Sequence, residues 1–210
     1  MCGFSGYFHP AVHYDRAFVI KAMTKRLVHR GPDGADHWLG PEGIALGHRR
    51  LAILDLSDHG RQPMHSHSGR FVLVFNGECY NFQAIRAELD KIQPKVWRGH
   101  SDTEIVLEAI EQWGIQEALK KMVGMFAFAL WDQEEKELYL ARDRMGEKPL
   151  YFGWSKGALL LASELNALKE HPCFQGDLNP EAVESMIRYG YVPGHMSIYQ
   201  IFSITISDDQ

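Results

Sequence analysis

The chain opens with Met1-Cys2-Gly3-Phe4, which places a cysteine directly behind the initiator methionine. A small second side chain favours removal of that methionine, and its removal would leave Cys2 with a free α-amine. Free α-amines and cysteine thiols both titrate near neutral pH, at about 7.7–8.0 and about 8.5. The amine can therefore act as general base for the thiol of the same residue. This hypothesis requires a fold that holds the N-terminus in place.

The predicted strands provide such a fold. Gly3–Phe8 alternates small and aromatic side chains, as a strand does, and a strand would keep the terminus from fraying. The other predicted strands are Asp36–Leu39, Ile44–Leu54, Arg70–Phe75, Met125–Trp131, Glu137–Arg142, Leu150–Trp154 and Ala158–Ser163. Polar turns join the last four of them as two hairpins. Asn76-Gly77-Glu78 has the chemistry of a turn and is predicted to end the strand before it.

Helices are predicted between and after these strands. Asp15 can cap a helix that runs to about Val28, and Ser101 with Glu104 forms a capping-box pattern ahead of a second long helix. The other predicted helices are Ala84–Ile92, Gln116–Met122, Leu165–Glu170 and a last one that starts behind Asn179 and runs to about Tyr189. Because the hairpins are too apolar to face water on both sides, we expect two packed sheets with helices outside.

Composition indicates a water-soluble globular chain. The 210 residues are 45% hydrophobic and 23% charged, fractions that are usual for soluble domains. The net charge of −5 argues against nucleic-acid or membrane partners, and we find neither a bilayer-spanning apolar run nor a secretory signal. Cys2, Cys79 and Cys173 are odd in number and widely spaced, which favours reduced thiols and a cytoplasmic location.

Short blocks along the chain, taken in order, resemble one family. The blocks are Cys2–Gly6, Arg30–Gly34, Gly47–Ile53, Phe75–Glu78, Ser101–Glu104, Gly124–Ala129 and Ala141–Gly146. They resemble the glutaminase half of glutamine-hydrolysing asparagine synthetases, which are class II glutamine amidotransferases. The resemblance reaches about Gln200, and Tyr189–Pro193 resembles the asparagine synthetase branch in particular. It implies an α+β fold, the four-layer αββα sandwich of N-terminal-nucleophile (Ntn) hydrolases.

The resemblance also implies a reaction, the hydrolysis of glutamine to glutamate and ammonia. Cys2 would attack the side-chain amide and form a thioester that water hydrolyses, while its own α-amine moves the proton. Asn76 and Gly77 resemble the family's oxyanion hole, which combines an amide side chain with a backbone N–H. Without the family pattern, the same pair would be interpreted as a plain Asn-Gly hairpin turn.

Substrate contacts follow from the same blocks. Arg50 resembles the residue that binds the α-carboxylate of glutamine, and Asp102 resembles the acceptor for its α-amino group. Glu78 would add a polar contact, and the backbone of Ile53 would line the site. Side chains alternate along a strand, so only one of Arg49 and Arg50 can face the site. The alternatives are a solvated strand-edge charge for either arginine and a helix-terminal charge for Asp102.

The polar stretch Asp55–Gly69 is predicted to be a long loop, of a kind that often covers a binding site. Gly60–Met64 within it resembles the family's loop that closes over glutamine; a mobile loop without that task is the alternative. His59, His65 and His67 lack the spacing of structural zinc ligands. The reaction needs no metal, so we expect neither a metal nor another cofactor for the glutaminase half.

The domain boundary is predicted near residue 170. We expect residues 1–170 to form the amidotransferase domain, 171–200 to begin the segment that leads to a synthetase domain, and 201–210 to be an unmatched tail. An SGGxDS-type ATP-pyrophosphatase loop is missing from the sequence. The expected partners are therefore glutamine and a synthetase domain or subunit that receives the ammonia, and ATP and Mg²⁺ would belong to that half alone. A homodimer is left open.

Two other hypotheses remain open at this point. The chain could be a glutaminase that serves another acceptor, as in amino-sugar or purine synthesis, although Arg50-Leu51-Ala52-Ile53 and Tyr189–Pro193 argue against that acceptor class. It could also be a catalytically silent truncated module that acts only in assembly or binding, because Met1 is kept or a partner is missing.

Overall fold

Two antiparallel β-sheets pack face to face in the computed structural model, which describes residues 1–11, 13–53, 55–193 and 196–200. The strands are β1 (Gly3–Phe8), β2 (Gly34–Leu39), β3 (Ile44–Arg50), β4 (Met64–His65), β5 (Phe71–Cys79), β6 (Gly124–Asp132), β7 (Glu137–Arg142), β8 (Tyr151–Ser155) and β9 (Ala158–Ala162). The helices are α1 (Arg16–Lys25), α2 (Phe82–Ile92), α3 (Asp102–Trp113), α4 (Ile115–Lys121), α5 (Leu165–Leu168) and α6 (Pro180–Tyr189).

The first strand lies at the centre of its sheet. The strand order is β2-β3-β1-β9-β8 in one sheet and β4-β5-β6-β7 in the other. In the first sheet, β1 pairs with β3 through Phe4↔His48 and with β9 through Ser5↔Ala162. The two predicted hairpins, β6–β7 and β8–β9, are confirmed. Each sheet combines strands from both halves of the chain, because β8 and β9 belong to the sheet that contains β1, β2 and β3.

Side chains alternate between the interior of the sandwich and its two helical layers. An inner core between the sheets contains Phe4, Ile44, Leu46, Val72, Val74, Ala127, Ala129, Trp131, Leu150 and Leu161. The outer residues of the first sheet, such as Tyr7, pack with α1, and those of the second, such as Phe75, pack with α2 and α3. The expected four layers, helix–sheet–sheet–helix, are therefore present.

The predicted turn at Asn76-Gly77-Glu78 is wrong, because β5 continues through it to Cys79 and pairs with β6 along its whole length. A Cβ on Gly77 would lie 2.5 Å from the carbonyl oxygen of Met125 and 2.6 Å from the Cβ of Phe126. Gly77 therefore serves close approach of the neighbouring strand. Pairing with β6 overrides the local turn preference of the Asn-Gly pair.

Other element ends shift by a few residues. β3 ends at Arg50, and the predicted end at Leu54 lies outside the described residues, as does the tail 201–210. The predicted long loop contains a 3₁₀ turn at Asp58–Gly60 and the short strand β4. Among the described residues, the longest helix, α3, has 12 residues, and none of the helices is long and apolar enough to cross a bilayer.

Only half of the predicted capping box forms at the start of α3. The Ser101 hydroxyl accepts a hydrogen bond from the Glu104 amide at 3.4 Å. The Glu104 carboxylate does not return to Ser101; it accepts from the amides of Arg98 at 2.9 Å and Gly99 at 3.0 Å. These bonds fix the loop ahead of α3, and that loop leads directly to Asp102.

His171 lies buried in a chain of hydrogen bonds on the outer face of the first sheet. Its Nε2 lies 2.7 Å from the Tyr14 hydroxyl, and its Nδ1 accepts from the Cys173 amide at 3.1 Å. An accepting Nδ1 requires the neutral imidazole with its proton on Nε2. Burial lowers the pKa of His171 from 6.5 to about 4, and His9 adds to that effect.

We expect the free energy of unfolding to fall as the pH falls from about 6.5 towards 4, because the unfolded state then binds a proton that folded His171 excludes. For His171 alone the loss is about 2 kcal/mol at pH 5. Urea unfolding of the parent and His171→Gln at pH 7 and pH 5 measures it. The variant should lose about 2 kcal/mol less; an equal loss in both proteins would show that His171 titrates alike in both states.

Candidate active site

A cavity opens between the two sheets at the end of the sandwich where β1 begins. The alternation that places Phe4, Leu46 and Val74 in the inner core also directs Cys2, Arg50 and Asn76 between the sheets. The cavity is lined by every residue predicted for the site, namely Cys2, Arg50, Ile53, Asn76, Gly77, Glu78 and Asp102. The structure thus brings together side chains from four separate parts of the sequence, whose individual roles remain predictions.

Cys2 is held by the backbone opposite it and is half-buried. The Leu51 amide donates to Sγ at 3.3 Å, and the thiol can donate to the Leu51 carbonyl at 3.6 Å. Burial raises the pKa of the Cys2 thiol, and the Leu51 hydrogen bond and the charge of Arg50 act against that rise. The carbonyl of Cys2 accepts from Arg30 Nε at 2.9 Å. The thiol is therefore fixed and protonated near neutral pH, so it needs a base.

Met1 also lines this cavity. Its side chain is 59% exposed, and its Sδ accepts from Lys148 Nζ at 3.6 Å. Lys148 is itself buried, at 5% exposure. Removal of Met1 would enlarge the cavity and leave the α-amine of Cys2 inside it.

Asn76 presents an unused donor to the cavity. Its side chain is 1% exposed, and within the described part of the chain its Nδ2 has no hydrogen-bond partner. An unsatisfied buried polar group costs about 1–3 kcal/mol. A buried amide nitrogen of this kind is suited to a ligand oxygen that arrives from the cavity.

Gly77 offers a second donor at the open edge of β5. The strand β4 pairs with Val72 and Leu73, and no other strand of the described residues lies beside the rest of that edge. Phe75 and Cys79 direct their amides to this edge, where Gln62 Oε1 accepts from Phe75 at 2.6 Å and Asp102 Oδ2 accepts from Cys79 at 2.8 Å. Because hydrogen-bonding direction alternates along an antiparallel strand, the Gly77 N–H points to the same edge and into the cavity.

The two arginines of β3 point to opposite sides, as predicted. Arg49 donates from Nε to the Gly31 carbonyl at 2.8 Å on the outer side. Arg50 faces the cavity, and its guanidinium donates to the carbonyls of Asp55 and, at 2.7 Å, Ser57. A guanidinium has five N–H groups, so donors remain for a ligand carboxylate.

Two acidic residues and one backbone segment complete the lining of the cavity. Asp102 is 5% exposed, and burial raises the pKa of its carboxyl even though the Cys79 amide donates to it. Glu78 is half-buried on the cavity side of β5. Ile53 contributes with its backbone region, since its side chain is 63% exposed.

The segment between β3 and β4 forms one side of the cavity through Asp55, Gly60 and Gln62. The Asp55 carboxylate accepts from the Ser57 hydroxyl at 2.6 Å and from the His100 amide at 2.8 Å. These bonds lower the pKa of Asp55 to about 2, with the His100 amide making the largest contribution. The carboxylate thereby ties this segment to the loop ahead of α3.

The histidines of the same region do not form a metal site in the described ranges, where no three His, Cys, Asp or Glu side chains come together around one point. His67 Nδ1 instead lies 2.5 Å from the Glu108 carboxylate, which is fully buried. His65 and His59 are not among the residues that line the cavity.

Four residues at this site were not predicted from the sequence: Arg30, His48, Gln62 and Lys148. Arg30, His48 and Gln62 lie in sequence blocks that are named above, but no role was predicted for these three residues themselves. Arg30 contacts the carbonyl of Cys2, and His48 and Gln62 contact the strand that carries Asn76. Lys148 could not be found from sequence, because lysine is rarely buried and no local pattern marks the exception.

Comparison with known proteins places the chain among amidotransferases. A family model described as a glutamine amidotransferase domain matches residues 1–205. Asparagine synthetase [glutamine-hydrolyzing] 1 of Bacillus subtilis (strain 168) is 37% identical over 198 residues, covering 92% of this chain and 30% of that protein. The protein named amidase chry2 of Gibberella zeae is 36% identical over 181 residues, covering 80% of this chain and 26% of its own length.

The fold is shared with a solved amidotransferase. The glutamine phosphoribosylpyrophosphate amidotransferase of B. subtilis, complexed with ADP and GMP, superposes with a TM-score of 0.67 at 23% identity. The match covers 80% of this chain and 43% of that one. This likeness confirms the αββα sandwich fold. The chain spans about 30% of the length of the first asparagine synthetase relative.

Proposed function

Because the chain belongs to the glutamine amidotransferase domain family, we propose that it hydrolyses glutamine to glutamate and ammonia through a thioester on Cys2. It is a class II domain related to asparagine synthetases. The observation that carries the proposal is one cavity that holds the Cys2 thiol, the Asn76 Nδ2, which has no partner among the described residues, and the open-edge N–H of Gly77.

The first step is attack on the side-chain amide of glutamine. The α-amine of Cys2 takes the thiol proton, and Sγ forms a bond to the amide carbon. The carbonyl oxygen becomes an oxyanion, which would accept hydrogen bonds from Asn76 Nδ2 and the Gly77 N–H. The protonated amine then gives its proton to the leaving nitrogen, and ammonia departs. Water attacks the thioester, releases glutamate and restores the thiol.

This mechanism requires that Met1 be removed. Burial raises the pKa of the Cys2 thiol, so few thiolates exist at neutral pH without a base next to Sγ. In the unprocessed chain the nitrogen of Cys2 is an amide, which cannot accept a proton there. The α-amine released by processing supplies that base within the same residue.

Binding of the amino-acid end of glutamine is assigned to the other cavity residues. Arg50 would bind the α-carboxylate with its remaining N–H groups, since a planar guanidinium matches a carboxylate. Asp102 and Glu78 would accept from the α-ammonium, and the backbone at Ile53 would lie against the ligand. No metal or cofactor takes part in these steps.

The ammonia is proposed to pass to a synthetase domain or subunit. The first relative is a glutamine-hydrolysing asparagine synthetase more than three times as long as the matched part. We therefore propose that residues 1–170 are the ammonia-supplying half, that the following residues lead towards the synthetase half, and that ATP and Mg²⁺ act only there. The described cysteines are free thiols, which supports a cytoplasmic setting.

The test of this function is the intact mass of the purified protein with and without 6-diazo-5-oxo-norleucine, an electrophile shaped like glutamine. We expect loss of Met1 and one adduct, mapped to Cys2 by peptide analysis. A retained Met1, or a processed chain without adduct, would overturn the proposal and favour a silent module in assembly or binding. Iodoacetamide, which needs no glutamine site, reports whether the thiol is accessible in either case.

Arg50→Lys is expected to raise KM for glutamine about tenfold with a much smaller change in kcat. A charge-assisted hydrogen bond contributes about 1.5–3 kcal/mol, and a lysine cannot replace the bidentate contact. Initial rates of glutamate release across glutamine concentrations measure both constants. Arg49→Lys is the matched control, since Arg49 faces the outer side and its variant should keep the parent KM. A parent-like KM in Arg50→Lys would exclude the carboxylate role.

A further inference from the structure

Two buried side chains hold the open edge of β5, and the reaction proposed above uses neither. Gln62 is 6% exposed and His48 is 1% exposed. Gln62 Oε1 accepts from the Phe75 amide at 2.6 Å, and His48 Nε2 lies 3.2 Å from the Phe75 carbonyl. The backbone N–H and C=O of Phe75 are thus both hydrogen-bonded to side chains. Phe75 directly precedes Asn76.

The orientation of the Gln62 amide is fixed by its partners. The Phe75 amide can only donate, so the oxygen of Gln62 must face it, and the nitrogen then faces Thr103 Oγ1 at 3.4 Å. Thr103 is 5% exposed and follows Asp102 in α3. One side chain therefore joins the segment between β3 and β4, the strand β5 and the start of α3.

His48 supports the same residue, Phe75, from the inner core, through its carbonyl. A carbonyl only accepts, so Nε2 carries a proton and donates to it. Burial lowers the pKa of His48 to about 4, with Arg50 and Arg49 adding to the effect against the Phe75 hydrogen bond. The ring thus stays a neutral donor throughout the physiological pH range.

These contacts stand where a neighbouring strand would otherwise pair, because no strand of the described residues lies beside Phe75 at this edge. β4 leaves β5 after Leu73, while Phe75 is 2% exposed, so water cannot satisfy its backbone groups. Oxyanion donors stabilise a transition state only when they are already in position before charge develops. The position of Asn76 and Gly77 depends on the peptide immediately before them.

We propose that Gln62 is a positioning residue for the oxyanion donors: it binds the Phe75 N–H as a neighbouring strand would and links Phe75 to α3. This inference rests on the proposed glutaminase function, because the donors matter only if a carbonyl reacts at Cys2. Gln62 acts on the rate indirectly, through Phe75 and α3.

The test compares Gln62→Met with the parent in glutamine hydrolysis. Methionine keeps the length of the side chain and removes both hydrogen bonds. We expect kcat to fall about tenfold or more, since displaced oxyanion donors lose part of an effect of about 10²–10³. In the double variant with Asn76→Ala the loss should be smaller than the product of the two single losses, because both act on one donor set.

Two controls separate positioning from general damage. Alkylation of Cys2 by iodoacetamide forms no oxyanion, so its rate in Gln62→Met should match the parent. Gln133→Met removes a similar side-chain bond, from Gln133 to the Gly69 carbonyl at the far end of the second sheet, and should leave kcat unchanged. A purely structural role for Gln62 would reduce alkylation and hydrolysis together.

A parent-like kcat in folded Gln62→Met would overturn the inference, as would full multiplication of the losses in the double variant. If circular dichroism shows that Gln62→Met does not fold, Thr103→Val is the variant to test. It removes only the hydrogen bond from Gln62 to α3 and should lower kcat severalfold. An unchanged kcat would reject the link to α3. An inactive parent that also lacks the Cys2 adduct would instead reject the proposed function.

Discussion

Cys2→Ala is expected to abolish glutamine hydrolysis and to leave the fold intact. Loss of a nucleophile removes the covalent route altogether, and we expect kcat to fall by at least about 10⁴-fold. The thiol contributes little to stability, because its hydrogen-bond partners are the Leu51 amide and carbonyl, at 3.3 and 3.6 Å. Cys2 also lies outside the three hydrophobic clusters of the sandwich.

Glutamate release and thermal unfolding, measured on the same sample, check both parts of this expectation. The melting temperature should stay within a few degrees of the parent, since a ΔΔG of 1 kcal/mol shifts it by only about 2–4 °C in a chain of this size. Cys173→Ala makes the same change away from the cavity and should keep full activity. Glutaminase activity in pure Cys2→Ala would remove the thioester from the mechanism.

The observed strands other than the short β4, and two packed sheets with helices outside, could be predicted from the sequence, but the strand order could not. Alternation within Gly3–Phe8 is a local signal, and the observed strand has those bounds. The pairing of β1 with β9, through Ser5↔Ala162, joins residues that are far apart in sequence, and no local pattern encodes it. The hairpins were found because their partners are neighbours in the chain.

The site shows the same division between local and long-range information. Alternation along β3 separates Arg49 from Arg50, and the structure places them on opposite sides. The other candidate residues came from the resemblance to a family, and they all line one cavity. The contact of Gln62 with Phe75 depends on where β4 stops, which the sequence of either segment does not specify.

The wrong prediction of a turn at Asn76 and Gly77 has a physical cause, and that cause also matters for function. An isolated Asn-Gly pair prefers a hairpin turn, yet here both residues lie within β5 and pair with Ala127 and Phe126. Only as part of a strand does the Asn76 side chain enter the space between the sheets while the Gly77 N–H points to the open edge. A turn would not have presented both donors to the cavity.

Asn76→Ala is therefore expected to lower kcat by about 10²–10³, the effect of losing one oxyanion donor. KM should change little, because this donor acts mainly on charge that develops in the transition state. Stability should not fall and can rise by about 1–3 kcal/mol, since the variant removes a buried Nδ2 that has no partner within the described residues. Steady-state kinetics and urea unfolding measure the two effects.

Asn81→Ala provides the opposite case with the same substitution. The Asn81 amide donates to the Lys121 carbonyl at 2.8 Å and accepts from the Val123 amide at 2.9 Å. Its loss should lower the free energy of unfolding by about 1–2 kcal/mol and leave kcat near the parent value. Comparison of Asn76→Ala with Asn81→Ala therefore distinguishes a side-chain amide that binds a ligand from one that stabilises the fold. If Asn76→Ala keeps the parent kcat, or loses as much stability as Asn81→Ala, then Asn76 is a structural residue and the oxyanion site lies elsewhere.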